Sequence, residues 1–200
     1  MLSRQNDKAE LWRIGETGAA VEVRKLAPDG FYRAFAGAGR YLFIATDKSV
    51  WRSDGTTNGT LLLSEKPPTC PFATTGETAF WFSFDQNAGY TLWRSDGTPA
   101  GTQAVITLPY ASQCSTAAIG GKVYFTGFDA AHGKELWVSD GTAAATHLAQ
   151  DIMPDTSSSD PAELTVAGEH IFFSASSPNH GRELWAIGPH VAPRRRSVGR

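Results

Sequence analysis

The sequence predicts an all-β fold, a β-propeller-like stack of about four four-stranded antiparallel blades, standing alone or within a larger ring. Three observations carry this expectation. A tryptophan phrase recurs along the chain, a glycine followed by a short aromatic burst recurs between its copies, and the composition suits short strands joined by tight turns. Of 200 residues, 20 are Gly and 11 are Pro, while charged residues make up 19%. Such a chain is too apolar for disorder and too rich in turn formers for a helical bundle.

The tryptophan phrase reads Glu10-Leu-Trp12, Ser49-Val-Trp51, Thr91-Leu-Trp93, Glu135-Leu-Trp137 and Glu183-Leu-Trp185, with spacings of 39, 42, 44 and 48 residues. Repeats of this length point to stacked supersecondary units. The three central copies continue as Ser-Asp-Gly-Thr, through Asp54, Asp96 and Asp140. Asp-Gly marks a tight turn, because Gly takes the positive φ that other residues resist. Its Asp carboxylate caps free backbone N–H groups in the same turn.

The second landmark is a Gly followed by an apolar burst, at 39–44, 76–82, 121–125 and 168–173. These bursts are short, aromatic and β-branched, and turn formers bound them, so they read as strands. They are apolar on both faces. A strand needs that pattern when other layers cover both sides of its sheet, as stacked blades do. After Trp137 the expected strands are 146–152, 162–167, 170–175 and 183–187. Four strands per 40–50 residues is the arithmetic of a propeller blade, and the whole chain then holds about seventeen strands. The expected repeats are 9–50, 51–92, 93–136 and 137–188, with an extension at 1–8 and a basic flexible tail at 189–200.

Glu135-Leu-Trp-Val-Ser-Asp-Gly-Thr142 resembles the consensus of the ELWxxDGT repeat family, and the resemblance covers roughly residues 9–188. The first and last copies lack Ser-Asp-Gly-Thr, and the second and third lack the leading Glu. The resemblance implies a bacterial, propeller-like repeat protein of the cell surface or exterior, and no known reaction.

Charge and motifs exclude several functions. A net charge of −2 argues against nucleic acid as the main partner. No apolar run approaches the roughly 18–20 residues of a transmembrane helix. Residues 1–8 hold no signal-peptide segment, so the expectation is a cytoplasmic chain, or a piece whose export signal lies elsewhere. There is no P-loop, no nucleophile elbow, and no glycine motif leading into a helix. The sequence therefore predicts a non-catalytic module without cofactor or metal, which binds a protein or carbohydrate through its loops. A purely structural unit of a longer repeat protein is the alternative.

Individual residues divide along the same lines. Trp12, Trp51, Trp93, Trp137 and Trp185 recur in every unit beside an apolar residue, so they are expected in the core with their indole N–H bonded. Asp54, Asp96 and Asp140 supply one carboxylate per loop. Calcium needs about 6–8 oxygens, so these aspartates are expected as turn caps. His132 and His180 occupy equivalent places before Gly-x-Glu-Leu-Trp, without metal-ligand spacing. With Tyr90 and Tyr110, expected in loops, they are the candidate ligand contacts. Cys70 and Cys114 are expected as buried free thiols. Finally, Trp12 and Trp185 compete for one strand position in a four-bladed ring. That leaves an unpaired edge and predicts self-association through the terminal strands.

Overall fold

The computed structural model describes residues 9–27 and 31–188. The extension at 1–8 and the basic tail at 189–200 lie outside the described residues, as do the side chains of 112–114. Every regular element described is a strand, seventeen in all. They form five antiparallel sheets in chain order. The first pairs β1 (Ala9–Ile14) with β2 (Ala20–Ala27). The second joins β3 (Tyr32–Ala38), β4 (Tyr41–Thr46), β5 (Val50–Ser53) and β6 (Leu61–Ser64). The third joins β7 (Ala73–Thr75), β8 (Thr78–Asp85), β9 (Gly89–Ser95) and β10 (Gln103–Leu108). The fourth joins β11 (Ala111–Ile119), β12 (Lys122–Asp129), β13 (Gly133–Ser139) and β14 (His147–Gln150), and the fifth β15 (Ala162–Ala167), β16 (His170–Ser177) and β17 (Gly181–Ile187).

Each sheet is a meander in which sequence neighbours pair. The apolar bursts are the second strands, β4, β8, β12 and β16, and the tryptophan phrases are the third, β5, β9, β13 and β17. The first strands β3, β7, β11 and β15 lie beside one another in order, as the inner strands of consecutive blades do. Trp-to-Trp counting misplaces the sheet boundaries. A period contains four strands, but its fourth-strand member closes one sheet and its remaining three open the next. Thus β14 joins β11–β13, whereas β15–β17 form their own sheet.

Trp12 and Trp185 do not compete for one place. Trp12 lies on β1 and Trp185 on β17, in separate sheets. Both are third-strand positions, so β1–β2 corresponds to the outer half of a blade and β15–β17 to a blade's inner three strands.

Apolar cores fill the spaces between sheets. Phe80, Phe82 and Leu92 of the third sheet pack with Val123, Phe125 and Trp137 of the fourth. Leu136 and Ala117 of the fourth pack with Ile171, Phe173 and Trp185 of the fifth. Ala9 and Leu26 of the first meet Ile44 and Trp51 of the second. The motif tryptophan of each sheet thus faces the preceding sheet, and the motif leucine faces the following one. Complete burial of such side chains contributes about 1.5–3 kcal/mol apiece.

Trp12 departs from its expected core position: it is half exposed, since no described sheet precedes β1. Indole N–H groups of Trp51 and Trp93 donate to Ser49 and Ser83 Oγ, and those of Trp81 and Trp185 to backbone carbonyls. The Trp137 indole N–H is buried without a partner. The Cys70 expectation is also corrected. Cys70 is disulfide-bonded, and the one other cysteine in the sequence is Cys114.

Candidate functional site

The three Asp-Gly turns share one hydrogen-bond pattern. Asp54 Oδ1 accepts from the Thr56 N–H at 2.9 Å and its hydroxyl at 2.7 Å. Asp96 with Thr98, and Asp140 with Thr142, repeat it. These bonds, led by the threonine hydroxyl, hold all three carboxyls below the ordinary range. Behind each turn the preceding serine shares a hydroxyl bond with a later threonine, Ser53 with Thr60, Ser95 with Thr102 and Ser139 with Thr146. Gly97 and Gly141 have φ of 86° and 91°. A Cβ on Gly97 would lie 2.6 Å from the Tyr41 ring, and one on Gly141 2.7 Å from Arg94 Cδ. The Gly97 and Gly141 turns therefore seat the third and fourth sheets against the ones before them, whereas Gly55 has open space around it. The aspartates are placed as turn caps.

Glu135 is a second buried device. Its carboxylate is fully enclosed yet accepts bonds from the Ile152, Met153 and Ser159 backbone N–H groups and the Ser159 hydroxyl. A buried polar group needs hydrogen-bond partners in place of its lost water. Four donors supply them here, and they fix the loop between β14 and β15. The sequence reading took this residue only as a repeat landmark. An acidic residue directly before the apolar Leu136-Trp137-Val138 run was the available signal.

That fixed loop borders a row of side chains in which Phe84 has a counterpart at Phe128 of β12, whereas Tyr90 has Lys134 and Arg182 at its equivalent positions. Phe84 and Tyr90 rings lie 4.8 Å apart, and Tyr90 meets Tyr110 edge-on at 6.1 Å. Lys134 Nζ sits 4.6 Å from the Tyr110 ring and 3.5 Å from Asp160 Oδ1. Arg182 then donates to the Asp160 carbonyl. The row spans the last three sheets at the end where second and third strands turn.

All four candidate residues fall at this end. Tyr90 is on β9 rather than in a loop, drawn in by its pairing with Leu108 and Phe84. Tyr110 lies in the connection between β10 and β11. His132 occupies the β12–β13 turn, its Nδ1 3.0 Å from Asp129. Hydrogen bonding to Asp129 raises the His132 pKa. Partial burial pushes Asp129 up, but the bonds from His132 and Ala131 outweigh it and hold the carboxyl low. His180 is exposed in the equivalent β16–β17 turn, one sheet away. Sequence reasoning did not single out Lys134, Asp160 or Arg182. Their juxtaposition depends on which sheets adjoin, which spacing alone does not encode.

No group of three or more His, Cys, Asp or Glu side chains is arranged to hold a metal ion among the described residues. Among them, no helix is long and apolar enough to cross a membrane.

Stacked four-stranded meanders with adjoining inner strands define a β-propeller architecture. Comparison with solved structures agrees. Puromycin hydrolase superposes with a TM-score of 0.50 over 85% of this chain at 15% identity, and the chain spans 30% of that protein's length. BamB from Moraxella catarrhalis gives a TM-score of 0.47 at 14% identity, over 96% of this chain and 57% of that one. A nidogen/laminin complex chain gives 0.43 at 15% identity, over 92% and 87%. At 15% identity the likeness to puromycin hydrolase concerns the fold alone. No family model matches the sequence, and no curated protein is significantly similar to it.

Proposed function

We propose that this protein is a non-catalytic binding module, taking a protein or glycan ligand on the row from Phe84 through Tyr90 and Tyr110 to Lys134. The carrying observation is that the row departs from the repeat at Tyr90, where the equivalent positions hold Lys134 and Arg182. Turn caps, motif tryptophans and inter-sheet leucines recur because they build blades. A partly exposed run of three aromatic rings ending in a lysine does not recur, and blade construction has no need of it. Aromatic faces flanked by fixed charges suit both a pyranose ring and a peptide, since they combine apolar area with directional polar contacts.

Resemblance to ELWxxDGT proteins and the Cys70 disulfide both support a location outside the cytoplasm. Disulfides persist in oxidising compartments and are rare where thiols are kept reduced.

The test is a glycan-array and pull-down screen with the intact protein, run beside Tyr110→Ala. A ligand whose capture falls at least about tenfold in the variant, as loss of an interface aromatic anchor does, supports the proposal. A ligand held equally by both proteins, with the fold unchanged, contradicts it.

A further inference from the structure

Among the described residues, the two outermost sheet faces carry the motif tryptophan and leucine that make the interior interfaces. On the motif leucine, Leu92 and Leu136 are 0% exposed, each covered by the following sheet, whereas Leu184 is 76% exposed. Register sets Phe172 equivalent to Phe80 and Phe43, since each pairs with the residue after the motif tryptophan. Phe80 and Phe43 are buried and Phe172 is exposed. At the other end, Trp51, Trp93, Trp137 and Trp185 face a preceding sheet, while Trp12 is 52% exposed and Ile14, two residues along the same strand face, 75%. One end thus shows only the following-sheet half of the repeated interface, and the other end only the preceding-sheet half.

We propose that these faces dock on each other between copies of this chain, in a head-to-tail stack. Phe172 and Leu184 of one copy pack against Trp12 and Ile14 of the next. The occupant follows from continuity with the interior: the internal interfaces already join a leucine-bearing face to a tryptophan-bearing face, and the docked contact is one more of the same kind. Large exposed apolar patches mark interaction sites. Because the two halves differ, the contact is heterologous, so it generates closed rings or open chains and not a two-fold dimer.

Sedimentation equilibrium of the full chain tests this, with Leu184→Glu and Ile14→Glu. Wild type should grow in mass with concentration. Each variant alone should remain monomeric, with apparent association weakened at least about tenfold. Mixed together, the variants should form a one-to-one dimer and stop, because each retains the face the other has lost. Both positions are exposed, and Phe172→Lys repeats the back-face test should Leu184→Glu lose its β-sheet circular dichroism. A wild-type chain that stays monomeric at near-millimolar concentration would overturn the proposal. So would two variants that fail to pair when mixed, or a variant that self-associates as strongly as wild type.

Discussion

Glu135 shows how one residue can be both motif and clasp. Its carboxylate is fully enclosed and has four protein donors. Glu135→Gln keeps the shape but sets an NH2 group against N–H donors. It should cost about 2 kcal/mol or more, in keeping with hydrogen bonds to charged groups, and urea denaturation checks this. Titration offers a second measure at the same scale. Asp54, Asp96 and Asp140 have lowered folded pKa values. Their contribution is complete above about pH 4 and is lost as pH falls through the folded values. His132 has a raised one, so its contribution is complete below about pH 6.5 and is lost as pH rises through the folded value. Melting temperature should therefore peak between these limits. His132→Gln should flatten the alkaline side, and on the acidic side it should remove only the part of Asp129's contribution that the His132 ring supports. A profile unaltered by that substitution contradicts the assignment. The aspartate caps were readable in advance, because Asp-Gly-Thr encodes its own turn. The clasp was not, because its donors lie 17 to 24 residues downstream.

At the scale of elements, strands were legible and their grouping was not. The strand at 162–167 was expected from its residues and is β15 as observed. The strand expected at 146–152 is β14, and it closes the fourth sheet instead of opening the fifth. Apolar bursts and turn residues are local signals, whereas sheet membership depends on which connection is a tight turn and which crosses to the next blade. The Asp-Gly turns are of the first kind. Cys70 is a similar case, since pairing depends on spatial approach that spacing leaves open. It precedes β7, in the connection between the second and third sheets. Cys70→Ser should lower stability by about 2–4 kcal/mol, the usual worth of a native disulfide, and the wild type should lose as much on reduction. Equal stability of oxidised and reduced protein contradicts a structural bond.

For the whole molecule, the account rests on blades stacking through one repeated contact, with the leucine of each motif covered by the sheet that follows. The same residue type in the same motif therefore occupies two environments. Leu136 is enclosed between the fourth and fifth sheets, and Leu184 faces outward. The most direct measurement is urea denaturation of Leu136→Ala and Leu184→Ala, at protein concentrations low enough to hold both as monomers. Leu136→Ala should lose about 2–5 kcal/mol, the cost of a cavity in a packed core. Leu184→Ala should stay within about 0.5 kcal/mol of wild type, as exposed substitutions do. Equal losses at the two positions, or a larger loss at Leu184, would contradict the stacked arrangement.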